Sequence, residues 1–251
     1  MIKQEKIWKF LVFVSFSFPS LDATSGVELR DNVFATLDLE SSLVSTEIVK
    51  EGITRFKLDF GYDQTFFGFF GDRELRLHAS YSLRYGPSAS DLIGDTQGVS
   101  NIDDDEYTRL YEIFIGTNLF SLFDIKIGTM DATNDFAAPE NGSQFLNGPA
   151  GSSPTILGIP TFPTPTLGVL IHTDFDAFDL RIGHYSGETD RVRFEETFSI
   201  AELGLKIKEQ AVIKFGVWRD TEQSKFDGAL AAVGDFYGIL DYDLSENISG
   251  F

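Results

Sequence analysis

The sequence predicts an all-β protein, and three observations carry that reading. Residues Glu74 to Tyr85 run Glu-Leu-Arg-Leu-His-Ala-Ser-Tyr-Ser-Leu-Arg-Tyr, apolar or aromatic at every odd number and polar at every even one. Successive side chains of a strand point to opposite sides, so this is a strand with one greasy and one wet face. The same period of two returns along the chain, and no convincing amphipathic helix interrupts it. Nor does the body contain a run near the roughly 20 apolar residues that a spanning helix needs, so any passage through a membrane must be by strands.

The first residues have the features of an export signal. Lys3, Lys6 and Lys9 form a basic start, Phe10 to Phe18 a short apolar core, and Leu21-Asp22-Ala23 a small-residue cleavage site. A leader over residues 1–23 and a single domain over 24–251 are therefore expected. In that domain Val33, Ala35, Leu37 and Leu39 oppose Phe34, Thr36, Asp38 and Glu40, and Phe56, Leu58 and Phe60 oppose Arg55, Lys57 and Asp59. Phe123, Ile125 and Ile127 oppose Asp124, Lys126 and Gly128, while Phe178, Leu180 and Ile182 oppose Asp179, Arg181 and Gly183. Ala201, Leu203, Leu205 and Ile207 oppose Glu202, Gly204, Lys206 and Lys208, and Ile213, Phe215 and Val217 oppose Lys214 and Gly216. Less regular strands are expected at Tyr107 to Thr117, Leu167 to His172 and Phe236 to Leu244. The total is about ten to eleven strands.

Composition removes several function classes. The formal net charge is -19 over 251 residues without basic runs, whereas phosphate binding needs clustered Lys and Arg, so a nucleic-acid partner is not expected. The absence of Cys removes thiol chemistry, Cys-based zinc sites and disulfides, and suits an oxidising compartment. His78, His172 and His184 lack the spacing of a metal pair, and no His-Glu-x-x-His or phosphate-binding Gly-Lys loop is present. No catalytic residues, cofactor or metal are expected. A β-rich glycosidase using two carboxylates is conceivable, but nothing marks a pair.

Such strands suit either a soluble sandwich or a membrane barrel around a wet channel. Aromatic residues near strand ends favour the barrel, whose interfacial girdles they would form: Tyr81, Tyr85, Tyr107, Tyr111, Phe66 to Phe70, Phe236 and Tyr237. Two segments break the rhythm. Pro87 to Glu106 carries Asp91, Asp95, Asp103, Asp104, Asp105 and Glu106, which without calcium-loop spacing is a solvated acidic loop. Asp131 to Pro165 is rich in Gly, Pro, Asn and Ser, and a stretch of that length is a candidate functional loop.

Five short motifs occur in order: Gly94-Asp-Thr-Gln-Gly-Val-Ser-Asn-Ile102, Arg109-Leu-Tyr-Glu112, Ile127-Gly-Thr-Met-Asp-Ala-Thr-Asn-Asp-Phe136, Gln144-Phe-Leu-Asn-Gly148, and Phe162-Pro163 before Leu167-Gly-Val169. Together they resemble the carbohydrate-selective porin family (OprB), over roughly Val27 to Tyr242. The resemblance implies an antiparallel transmembrane β-barrel of sixteen strands, monomeric, in the outer membrane of a Gram-negative-type bacterium. It implies passive diffusion of small sugars, with the outer-membrane lipid as the other partner. The chain departs from the pattern at Ile113-Phe-Ile-Gly-Thr117, where the family often has Trp and Gln, and ends several strands early, so C-terminal truncation is expected ahead of the two alternatives, closure into a smaller barrel and pairing of edges between chains. In a pore of this type wet-face side chains would replace water around sugar hydroxyls. The candidates are Arg55, Arg76, Arg84, Glu112, Lys126, Arg181 and Lys206, with Asn141 to Pro165 as the constriction. A barrel that passes mainly ions or is structural, and a secreted soluble glycan-binding or glycan-cleaving β-protein, are the alternatives.

Overall fold

A computed structural model of the chain describes residues 13–17, 32–45, 50–67, 73–88, 91, 105–139, 165–187, 197–207, 211–221, 234–245 and 248–250. Among these, twelve strands form one sheet: β1 (Phe13–Ser17), β2 (Val33–Ser45), β3 (Lys50–Phe67), β4 (Glu74–Tyr85), β5 (Tyr107–Leu119) and β6 (Phe123–Met130). Then come β7 (Thr166–Asp174), β8 (Phe178–Ser186), β9 (Thr197–Ile207), β10 (Ala211–Asp220), β11 (Gly234–Ser245) and β12 (Ile248–Gly250). Each strand pairs antiparallel with its sequence neighbours, so spatial order equals chain order, and among the described residues β1 and β12 do not pair with each other. Every strand expected from alternation is present. The two beyond the ten placed from alternation are short edge strands, β1 lying inside the segment read as a leader. The acidic motif residues 92–104, and residues 141–164 of the expected constriction, lie outside the described residues.

Burial is inverted relative to a soluble sheet protein. On the polar face Arg55 is 1% exposed and Glu202 1%, while on the apolar face Ile127 is 54% and Val217 59% exposed. Ile115, Ile182, Phe215 and Phe236 are also bare. Among the described residues the greasy faces do not meet one another, as the inner faces of a sandwich would. Burying one such side chain is worth about 1.5–3 kcal/mol, so five or six left in water would forfeit roughly the whole 5–15 kcal/mol stability of a domain. This face calls for an apolar partner in place of water.

One irregularity in β5 changes which side chains share a face. Ser80 pairs with Glu112 but the next residue, Tyr81, pairs with Leu110, so Tyr111 is an extra residue in the ladder. Such a bulge shifts the side-chain parity by one. Tyr107, Arg109 and Tyr111 face the polar side before it, as do Glu112, Phe114 and Gly116 after it, which is why this stretch reads as irregular. The β5–β6 hairpin is tight: Phe120 and Ser121 both take positive φ, and Leu122 N–H bonds Leu119 C=O at 3.1 Å.

Candidate functional site

After β6 the chain does not leave the sheet but turns across its polar face. Asp131 caps a single 3-10 turn, Ala132–Asn134, accepting from Thr133 N–H at 2.9 Å and Thr133 Oγ1 at 2.7 Å. The bulge aims two neighbours at this cap. Tyr111 donates its hydroxyl to Asp131 Oδ2 at 2.6 Å. Glu112 accepts from Asp131 N–H at 2.9 Å and from Asn134 Nδ2 at 3.2 Å. Without the extra residue only one of the pair could reach the turn, so the bulge is what makes the clamp two-handed. Burial raises the Asp131 carboxyl above its ordinary value, and the bonds from Tyr111 and Thr133 oppose that rise.

Beyond the turn the wall holds the segment strand by strand. Lys126 of β6 reaches Asp135 Oδ1 at 2.7 Å, and Arg181 of β8 donates to the Asp135 carbonyl at 2.8 Å. Glu202 of β9 accepts Ala137 N–H at 2.8 Å, and Lys214 of β10 donates to Ala138 C=O at 2.7 Å. Glu202 also accepts the Tyr237 hydroxyl at 2.6 Å and lies 3.6 Å from Arg181. Between these polar fixings Phe136 and Ala137, both 0% exposed, press into a bed made by Met130, Leu170, Tyr185, Phe198, Ile200 and Tyr237.

Glycines give the bed its depth. The Tyr185 ring occupies the space that a Cβ at Gly168 or Gly183 would need, and Tyr237 does the same over Gly216. Gly128 is held at φ +152, where its missing Cβ would strike Phe114 Cα at 2.5 Å. Ala137 has no such licence. At φ 53 it sits in the left-handed region, which costs a residue with a side chain roughly 1–2 kcal/mol, and its neighbours must hold it there.

The rest of the polar face is lined by paired charges. Arg55 and Glu40 form a buried pair at 2.7 Å, Lys57 meets Asp59 at 2.9 Å, and Arg76 meets Asp124 at 2.9 Å. Lys206 contacts Asp174 and donates to Phe175 C=O at 3.0 Å. Arg84 donates to Gly86 C=O at 3.1 Å. Arg109 stacks 4.1 Å over Tyr107, and Lys57 stands 5.5 Å over Tyr111. His78 lies stacked 4.6 Å from Phe114 and 5.9 Å from Phe34, with Nδ1 2.6 Å from Asp63.

All seven candidate residues thus stand on the polar face, but not in one cluster. Glu112, Lys126 and Arg181 grip the turned segment; Arg76 and Lys206 lie toward the short-turn rim; Arg55 and Arg84 are buried toward the opposite rim. Three aromatics expected at the interfacial girdle do not belong there. Tyr107, Tyr111 and Tyr237 face the polar side, the last two with their hydroxyls on Asp131 and Glu202. Tyr85 and Phe236, at 60% and 76% exposed, keep the outward position. Sequence reasoning puts Glu202 and Lys214 on the polar face and Phe136 in a motif, but it does not single them out, or the aromatic bed, as parts of the site. Among the described residues no group of three or more His, Asp and Glu could hold a metal ion.

The turn at Asp131 joins two of the sequence motifs, Arg109 to Glu112 and Ile127 to Phe136, through side chains that only this fold brings together. A family model, described as "Carbohydrate-selective porin, OprB family", matches residues 54–237. The chain belongs to that family. No curated protein and no solved structure matches it. As in any porin of such pattern, lipid-facing and channel-facing residues alternate along each strand, and the inverted burial of this sheet obeys that rule.

Proposed function

We propose that this porin lines a pore in the outer membrane of a Gram-negative-type bacterium, through which small sugars pass into the periplasm by passive diffusion. The observation that carries the reading is the inversion of burial: charged pairs on the covered face, bare Ile, Leu, Val and Phe on the other. The family supports carbohydrate as the solute. Sugars are neutral and rich in hydroxyls, and the polar wall offers both donors and acceptors to them, so flow down a gradient needs no covalent step. Arg76, still 41% exposed beside Asp124, is the candidate best able to exchange its water for a sugar hydroxyl.

In lipid, unpaired backbone groups cost several kcal/mol each, so the outer strands of the sheet pair in the membrane, with each other or with further strands. Export relies on residues 1–23, and the pore works as a monomer. A soluble glycan-binding protein would have to cover the greasy face, and among the described residues nothing does so.

The test is swelling of liposomes containing the refolded protein. Uncharged mono- and disaccharides should enter at rates that fall with size, and single-channel current should drop when they are added. Protein that inserts but passes salt without any effect of sugars would favour the ion-conducting alternative.

A further inference from the structure

Resting on the pore reading, we propose that Glu202 is the positioning residue that sets the aperture, by holding the left-handed turn at Ala137 against the wall. Four segments meet at this one carboxylate: Ala137 N–H from the turned segment, the Tyr237 hydroxyl from β11, Arg181 from β8, and the β9 backbone that carries it. Its side chain is 0% exposed, so neither water nor solute competes for these partners.

The other fixings cannot replace it. Tyr111 acts on Asp131 and Glu112 on Asp131 and Asn134; Lys126 and Arg181 reach only as far as Asp135; Lys214 takes the carbonyl of Ala138, beyond Ala137. Glu202 alone among these holds Ala137, the residue of the turned segment whose backbone is in the disfavoured region. An Ala released from that bond prefers an extended or right-handed backbone. Either would pull Phe136 from its bed and lift residues 136–138 off the wall, which changes the space left over the polar face. The path of the turned segment across the polar face therefore depends on one carboxylate 65 residues away in sequence.

Hydrogen exchange of the refolded protein in detergent, monitored by mass spectrometry on peptides covering 133–138, tests the anchoring without requiring transport. Glu202→Ala should speed exchange at Ala137 roughly ten- to hundredfold, the effect of losing a charge-assisted bond, with amides of β2–β5 unchanged. Glu202→Gln keeps an acceptor oxygen and should stay within about threefold of the parent. Tyr237→Phe, the gentler change should Glu202→Ala not fold, should give an intermediate rate. In planar bilayers Glu202→Ala should alter the single-channel conductance and add fluctuations that Glu202→Gln lacks.

Parent-like exchange in Glu202→Ala overturns the proposal. So does faster exchange with unaltered conductance, because the turn would then be loose without affecting the aperture. A parent protein that forms no channel defeats the pore reading and the aperture with it, whereas the exchange result still decides the anchoring.

Discussion

Tyr237 lies directly over Gly216, its register partner on β10, and through that gap delivers its hydroxyl to Glu202 on the strand beyond. The contact crosses a whole strand, which is possible only because position 216 has no side chain. Gly216→Ala would put a methyl group into the Tyr237 ring. Overpacking of this kind costs about 1–3 kcal/mol, and the loss should appear as a lower urea midpoint read by fluorescence of Trp218, whose ring is 5.9 Å from that of Phe198.

Phe136 is the largest side chain that the turned segment buries. Phe136→Ala should destabilise the folded protein by about 3–5 kcal/mol, the usual cost of emptying a buried aromatic site. A cost below about 1 kcal/mol in the same urea titration would mean that the bed collapses onto the gap or was never filled.

The two faces make opposite demands on the same substitution chemistry. Ile115→Arg, on the bare face of β5, should cost about 2–4 kcal/mol if it lies near the bilayer midplane. Arg76→Ala, an exposed pair partner, should cost less than about 1 kcal/mol and change sugar flux instead. The folded fraction on unheated gels reads the first effect and liposome swelling the second; equal tolerance at both positions would refute the assignment of faces.

Asp131 gives a pH signature. Its native carboxyl is raised by burial above the ordinary value of 3.8, so the folded state holds the proton more tightly than the unfolded chain. The stability it contributes is complete below 3.8 and is lost as pH rises through the raised native value. Asp131→Asn cannot titrate. The stability difference, parent minus variant, should therefore favour the parent more at acid pH than at neutrality, and a flat difference in urea midpoints across that range would contradict the shift.

Strands and their faces are legible because a period of two is a local property, readable in Leu75 to Tyr85 or Ala201 to Ile207 without knowing any neighbour. The site is not, for three physical reasons. An added residue at Tyr111 reverses parity inside a strand, and nothing in Arg109-Leu-Tyr-Glu112 announces it. An aromatic near a strand end can serve an interface or a buried hydroxyl equally well, so Tyr237 reads as an outward residue. Glu202 looks like any other wet-face acid, because its importance lies in the distant Ala137. A usable signal does exist in the glycines: Gly168 sits opposite Tyr185, and Gly216 opposite Tyr237, as small residues must where a large ring lies flat on a neighbouring strand.

The neighbour-only order of the strands has a consequence for assembly. Each hairpin can zip onto the one before it with little loop entropy to overcome, from β2 onward. The turned segment cannot join that sequence in turn. Its carboxylate partner arrives only with β9, and the tyrosine that completes the grip only with β11. The strands through β11 must therefore pair before the grip on Ala137 is complete, so the segment that follows β6 in sequence is among the last described parts of the fold to be fixed.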